Sequence, residues 1–116
     1  PSIEKALKYN VVIAIGSDNA GCFHPDTWID AYLLLYLKKI DPRILLKMLL
    51  FNGYYAIGRK PYYLMEGAEA MFMVIDLGLA NERTDNVYLS IINRVLWSRK
   101  KIIVKHDKVY VLGKNL

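Results

Sequence analysis

Cysteine and histidine are scarce in this 116-residue chain, which contains one cysteine and two histidines. The single cysteine, Cys22, excludes an internal disulfide framework and a cysteine-rich zinc module. The two histidines, His24 and His106, stand too far apart to form the paired spacing of a local metal motif. This sparing use of cysteine predicts a cytoplasmic protein.

Long uninterrupted apolar runs are also missing. The two longest apolar stretches, 28–37 and 44–51, are interrupted by Asp30 and Lys47, so neither is typical of a membrane span. We therefore predict a protein without a membrane partner.

Apolar residues nevertheless make up 54% of the chain, and charged residues only 23%. This composition excludes disorder and supports one hydrophobic core, but not two independent domains. The net charge of +5 allows weak attraction to polyanions without requiring it.

The first strong pattern is the continuous run Val-Val-Ile-Ala-Ile at 11–15. A short run that is apolar on both faces predicts a buried parallel strand. A weak helical segment, 3–9, precedes the run, and the polar turn 16–21 follows it.

Residues 27–40 predict a helix. Thr27 and Asp30 are spaced as a capping box, in which aspartate replaces the usual glutamate or glutamine. Almost all of the remaining positions of this helix are apolar, which predicts burial on more than one side.

A second helix is predicted to begin at Asp41 and Pro42, with Asp41 as the N-cap and Pro42 at the first helical position. Asn52-Gly53 indicates a stop or a corner. One further helical turn, 54–58, is predicted to end at Gly58.

The second half of the chain is richer in strand patterns. Residues 71–76 predict a strand, 81–86 a polar loop and 87–96 a short helix. Residues 102–104 and 109–112 predict a hairpin that turns through 105–108.

The predicted helices carry more apolar surface than these strands can cover. At about 25 cal/mol per Å², leaving several large side chains in water costs several kcal/mol. The net stability of a domain is typically about 5–15 kcal/mol. The sequence therefore predicts a partner, which is either the rest of a larger protein or another copy of the chain.

Asp18 is the residue best placed to carry chemistry. An acidic residue just past the carboxyl end of a buried parallel strand lies where α/β barrels hold their active sites. A strand would fix the backbone there and hold the carboxylate ready as a metal ligand or a proton carrier. The alternative is an ordinary turn residue or helix cap. His24, in the following loop, either lines a pocket or is a surface residue, and Cys22 lacks a local base.

A basic segment near the end of the chain gives a different hypothesis. Its cations are interleaved with Trp97 and Tyr110, and stacking aromatics beside cations can bind single-stranded nucleic acid. The alternative, which we favour, is a solvated hairpin edge that its lysines protect from pairing. The cations are Arg94, Arg99, Lys100, Lys101, Lys105 and Lys108.

Five blocks follow one another in an order that matches a known pattern. They are 10–19, which ends in Gly-Ser-Asp-Asn; 26–30, Asp-Thr-Trp-Ile-Asp; 41–58, with Asn-Gly at its centre; 65–76, with Glu-Gly-Ala-Glu and Val-Ile-Asp; and the hairpin 101–112. In this order they resemble the C-terminal third of the metal-dependent amidohydrolase superfamily, in the branch of cytosine deaminase-like, guanine deaminase-like and chlorohydrolase-like enzymes.

The resemblance implies an α/β fragment of a larger fold. Residues 1–60 would be the last strand and helices of a (β/α)8 barrel, the TIM barrel. Residues 61–116 would be the C-terminal strands of a small β-sandwich domain.

The resemblance also implies roles for single residues. Asp18 would be the aspartate of the eighth barrel strand, which ligates the catalytic Zn²⁺ or Fe²⁺, or hydrogen-bonds its water, and carries a proton to the leaving nitrogen. Such a metal lowers the pKa of bound water to about 7, and a nearby carboxylate takes the proton. Ser17, Asn19 and His24 would lie on the substrate-side loop.

The metal-binding histidines of that family's earlier strands are not in this sequence. A catalytic metal needs about three protein ligands, so Asp18 cannot hold one by itself. We therefore expect the C-terminal part of a metal-dependent hydrolase, an amidohydrolase or deaminase that acts on non-peptide C–N bonds. By itself this C-terminal part would be inactive and would bind no metal. Its partner would be the N-terminal portion of the barrel.

Two other functions stay open. The first is a non-enzymatic oligomeric scaffold, whose apolar helices pack against copies of themselves. The second, less favoured, is a small basic nucleic-acid-binding protein.

Overall fold

A computed structural model describes residues 2–18, 21–22, 24–76, 78, 85–98 and 101–113. Within these residues the fold is mixed α/β, with five α-helices, a short 3-10 helix and a three-stranded antiparallel sheet, and without a barrel. The contacts divide the chain into two units, Pro1–Pro61 and Tyr62–Leu116. The first contains α1 (Ile3–Lys8), α2 (Thr27–Lys38), α3 (Pro42–Leu50) and α4 (Asn52–Ala56). The second contains β1 (Met71–Ile75), α5 (Val87–Arg94), the 3-10 helix Val95–Trp97, β2 (Lys101–Lys105) and β3 (Lys108–Leu112).

The start of α2 corrects the predicted capping box. Its N-cap is Asp26, whose carboxylate accepts a hydrogen bond from the Trp28 N–H at 2.9 Å, and Thr27 is the first helical residue. Aspartate is a stronger N-cap than threonine, so the cap lies one residue earlier than predicted. The helix also ends two residues before the predicted Ile40, because Lys39 adopts a left-handed conformation with φ of 51°.

The start of α3 confirms its sequence signal. The Asp41 carboxylate accepts a hydrogen bond from the Arg43 N–H at 2.8 Å, and Pro42 occupies the first helical position. Side-chain hydrogen bonds from the Arg43 guanidinium hold the pKa of Asp41 below its usual value. The further turn, α4, is followed by Gly58 at φ of +71°, the left-handed conformation for which the sequence supplies glycine.

The core of the first unit is built from one side of α2 and the inner side of α3. Ala31 and Leu35 are buried on α2, four residues apart and therefore on one face. Leu45, Leu46 and Met48 are the buried residues of α3. Packing between α2 and α3 therefore forms this core.

The other side of α2 leaves an apolar stripe uncovered. Its members recur at helical spacing and are 38%, 47%, 54% and 74% exposed, in chain order. They are Ile29, Leu33, Tyr36 and Leu37. The helix is apolar on more than one side, but the predicted burial on more than one side is not found, since the described residues bury only the side of Ala31 and Leu35.

The predicted parallel strand at 11–15 is not formed. The segment belongs to neither the sheet nor a helix, and Val11 and Val12 are 53% and 61% exposed. The physical reason is that a strand exists only through hydrogen bonds to a neighbouring strand. All strands that the structure describes lie in residues 71–112 and pair with one another.

The second unit is organised by a sheet of order β1-β2-β3, with antiparallel neighbours. The predicted strand at 71–76 and the predicted hairpin are both confirmed, as is the helix predicted at 87–96 in the form of α5 and the 3-10 helix. The loop predicted at 81–86 lies mostly outside the described residues, and Asn86 caps α5 by accepting from the Leu89 N–H at 3.0 Å.

One face of the sheet is apolar throughout. Side chains alternate between faces along a strand, so cross-strand partners share a face. The two cross-strand rows of this face are Phe72–Val104–Val109 and Val74–Ile102–Val111. Val74, Val109 and Val111 are 51%, 64% and 64% exposed.

The hairpin turn is tied to the residues before β1. His106 has φ of 55°, its N–H donates to the Ala70 carbonyl at 2.8 Å, and its imidazole forms an ion pair with the Glu69 carboxylate when protonated. The predicted hairpin therefore turns at His106-Asp107 without a glycine.

None of the helices in the described part of the chain is both long and apolar enough to cross a membrane.

Leu45 is fully buried in the core of the first unit. We expect Leu45→Ala to lower the free energy of unfolding by about 2–5 kcal/mol, because it removes a buried side chain and leaves a cavity. Lys47→Ala, on the exposed side of the same helix, should change it by less than about 0.5 kcal/mol. Urea titration followed by circular dichroism measures both, and equal losses would contradict the assignment of the core.

Candidate functional site

The segment 11–18 carries Asp18 and is attached to the helices through its backbone. The Ile15 N–H donates to the Met48 carbonyl of α3 at 3.2 Å, and the Asn52 side-chain amide donates to the Ile13 carbonyl at 2.6 Å. The Val11 N–H donates to the Ala6 carbonyl of α1 at 3.0 Å. Three elements, α1, α3 and α4, therefore fix this segment where a strand was predicted.

Two alternate residues of the segment make no backbone hydrogen bonds. Among the described residues, no hydrogen bond involves the backbone N–H or C=O of Val12 or Ala14. Free backbone groups beside exposed valines are the features of a strand edge that can pair with another strand.

A cavity of about 390 Å³ lies between the segment and the helices. Ile13 and Ile15 line it from the segment, Leu33 from α2 and Met48 from α3. Asp30 is the one acidic side chain among its lining residues. Its walls are otherwise mainly aliphatic.

The predicted site residues lie at the exposed end of this segment or beyond it. Ser17, Asp18 and His24 are all exposed, and Asn19 lies outside the described residues. The expectation that Asp18 follows a buried parallel strand is wrong for this chain by itself, because no such strand forms. Asp18 does interact with at least one other group.

The predicted metal role of Asp18 requires further side chains of the types that bind metals close to it. Across the part of the chain that the structure describes, no three His, Cys, Asp or Glu side chains are grouped to hold a metal ion. Asp18 therefore does not belong to a complete metal site within these residues. Cys22 is an exposed free thiol.

The basic residues of the second unit are distributed over the sheet. Lys105 lies opposite Lys108, and Lys101 lies opposite Leu112. The three lysines thus share the sheet face that also carries Tyr110, whereas Trp97 is 78% exposed beyond α5. Arg99 and Lys100 lie outside the described residues. Lys101 and Lys105 lie on the central strand β2, so Lys108 is the only one of the three lysines on the edge strand β3.

Asn52 is the site residue that the sequence analysis missed. It is 8% exposed and is the buried polar side chain of the first unit's core. Sequence reasoning assigned Asn52-Gly53 to a stop or corner, which it is, since α3 ends at Leu50 and α4 begins at Asn52. Its hydrogen-bonding partner is 39 residues away in sequence, so no local pattern could identify the contact.

Comparisons of the chain with protein-family models, with curated protein sequences and with solved structures find no match.

Because the described residues hold no metal cluster, we expect titration of the isolated chain with Zn²⁺ to give no stoichiometric binding in calorimetry. Asp18→Asn should leave the titration curve unchanged. A 1:1 zinc site that Asp18→Asn abolishes would contradict this and would place a complete site within the 116 residues.

Proposed function

We propose that this chain is the C-terminal part of a metal-dependent hydrolase that acts on non-peptide C–N bonds, of the amidohydrolase or deaminase type. The observation that carries the proposal is the segment 11–18. An apolar run leads into Gly16-Ser17-Asp18, is fastened to the helices at Ile13 and Ile15, and leaves the backbone of Val12 and Ala14 without partners among the described residues. The edge of the segment at Val12 and Ala14 is thus open to a neighbouring strand, as expected where an adjacent barrel strand belongs to another part of the protein, whereas the helices hold the edge at Ile13 and Ile15.

The helix that follows the segment supports the same proposal. A barrel helix packs one side against its own barrel strands and the other against neighbouring helices. On α2, Ala31 and Leu35 are buried, whereas Leu33 and Leu37 on another side are 47% and 74% exposed. A second apolar side on the helix that follows this segment is expected where further barrel elements cover it.

The second unit supports the sandwich part of the proposal. A sheet that buries one face against another sheet is apolar on that face, and the rows that contain Val74, Val109 and Val111 have this character. We accordingly propose that residues 1–60 end a (β/α)8 barrel and that residues 61–116 contribute the C-terminal strands of a β-sandwich.

The described residues of this chain do not supply the ligands of a complete metal site. The proposed contribution of the chain is one carboxylate, Asp18, at the open end of the segment. The remaining ligands, and the metal, Zn²⁺ or Fe²⁺, would come with the N-terminal portion of the barrel. Ser17, Asn19 and His24 are proposed to border the substrate. The proposed location of the whole protein is the cytoplasm.

The test of Asp18 uses the longer protein in which the barrel is complete. We expect Asp18→Asn to lower turnover by about 10²–10⁴-fold, the range for loss of a positioned acid or base. Ammonia release from cytosine and guanine, and chloride release from a chlorinated triazine, measure turnover. Asp107→Asn, at an exposed hairpin turn, is the matched control and should retain full activity.

Near-wild-type turnover in folded Asp18→Asn would remove this carboxylate from the catalytic role. No release from any of the three compounds by the longer protein would contradict the proposed reaction class.

A second candidate function, an oligomeric scaffold, is favoured by the exposed stripe of α2. Both functions predict that the isolated chain self-associates through apolar surface. They differ in that a scaffold needs no carboxylate at position 18 and no further protein part.

The isolated chain should therefore sediment as a dimer or larger species. Leu33→Lys with Leu37→Lys should shift it to monomer, because each charge opposes burial of the stripe. Val109→Lys with Val111→Lys, on the apolar sheet face, is the matched control. A wild-type chain that sediments as a monomer would contradict the assembly prediction, as would a larger effect of the sheet substitutions than of the helix substitutions.

A further inference from the structure

We propose that one face of the sheet in the second unit binds single-stranded nucleic acid. This surface, the lysine face, is defined by Lys101, Lys105, Lys108 and Tyr110. Its ammonium groups hold phosphates, and the Tyr110 ring stacks on a base. The lysine face belongs to the second unit, whereas Asp18 belongs to the first, and the proposal does not depend on the proposed hydrolase activity.

The register of the hairpin brings these four side chains to one face. Lys105 lies directly opposite Lys108 beside the turn, and Tyr110 follows two residues further along β3. Lys101 lies four residues from Lys105 on β2, which is about 13 Å along the strand. Lys105 and Lys108 are exposed, and Lys101 is half-buried. Tyr110 therefore lies between a pair of cations at one end of the face and a single cation at the other.

The charges on this face have one sign. The strand β1 contributes only methionine and isoleucine side chains to it. Within the described residues, none of the ion pairs involves the three lysines. The Glu69 carboxylate, beside the hairpin turn, pairs with His106 instead. The face thus presents three positive charges without a carboxylate partner in the described part of the chain.

The pair of Lys105 and Lys108 lowers the stability of the fold. Like charges directly opposite one another in a sheet are destabilising. Edge protection explains only Lys108, because Lys101 and Lys105 belong to the central strand, which has a strand on each side. An anion bound between the two ammonium groups removes their repulsion. The placement of the lysines therefore favours a negatively charged ligand.

The ring of Tyr110 indicates which kind of polyanion fits the face. Tyr110 is 45% exposed, and an aromatic ring beside cations is a stacking platform for an unpaired base. Bases of a single strand can be splayed out to stack on such a ring, whereas those of a duplex are stacked on one another. Anionic lipids can pair with the lysines but offer no flat ring to the tyrosine. Single-stranded nucleic acid supplies both the phosphates and the rings.

The first experiment measures binding and its dependence on salt. A fluorescein-labelled oligothymidylate of about 12 nucleotides is titrated with the 116-residue chain and followed by anisotropy. We expect a Kd of about 1–100 µM at low salt. The logarithm of the association constant should fall with the logarithm of the salt concentration with a slope of about −2, because each of three lysines contributes about −0.7 on a single strand. Absence of binding over this concentration range would overturn the proposal.

The second experiment locates the charges. Lys105→Gln with Lys108→Gln should make the slope shallower by about 1.4. It should not lower the melting temperature, because it removes the repulsion between the two lysines. Lys5→Gln with Lys8→Gln, at exposed positions of α1, removes the same charge and is the matched control that should leave the slope unchanged. An equal change in both double variants would overturn the proposal, since it would show attraction to the whole basic chain.

The third experiment tests stacking. Tyr110→Leu should weaken binding by about 5- to 100-fold with the slope unchanged, because it removes a ring and no charge. Tyr110→Phe keeps the ring and should bind as the wild type does. If Tyr110→Leu fails to fold, Tyr110→Val replaces it, since valine favours strands.

Three results of the third experiment would overturn the proposal. The first is full affinity in the folded variant without a ring. The second is an equal loss of affinity for a duplex in that variant, since a duplex offers no unstacked base. The third is tighter binding of the wild type to phosphatidylserine vesicles than to the oligothymidylate, which would assign the lysine face to a lipid surface.

Discussion

The hydrogen bond from the Asn52 amide to the Ile13 carbonyl connects the helical core to the segment that carries the candidate carboxylate. It joins residues 39 positions apart at 2.6 Å. With the bond from the Ile15 N–H to the Met48 carbonyl, it holds an apolar run that has no strand beside it. These two contacts hold the middle of the segment in place of a ladder, because the described residues supply no strand beside it.

The lack of neighbouring elements among the described residues also explains why so much apolar surface is exposed. A helix that is apolar on two sides needs two covering surfaces, and α2 has one, through Ala31 and Leu35. The sheet of the second unit likewise has an apolar face with Val109 and Val111 about two-thirds exposed. Fully burying one such side chain contributes about 1.5–3 kcal/mol. A covering partner would therefore change stability by an amount comparable to that of the whole domain.

Local signals predicted those parts of the fold that depend on a few neighbouring residues. Asp41-Pro42 began a helix because a carboxylate and a fixed φ act within one turn, and Gly58 marked the left-handed residue after α4. The hairpin was predictable from two β-branched runs, even though His106 rather than glycine takes the positive φ. Each of these elements is fixed by interactions of short range.

Long-range features could not be predicted in the same way. The run at 11–15 has strand composition, but a strand requires a partner, and composition does not supply one. The pair Asn52-Gly53 is typical of a corner between helices, and only the folded chain brings Asn52 to Ile13. A contact of such sequence separation also forms late, because the loop it closes must first lose its conformational freedom. We therefore expect the acidic tip of the segment to reach its final place only after α2 and α3 have docked, so that folding completes the candidate site last.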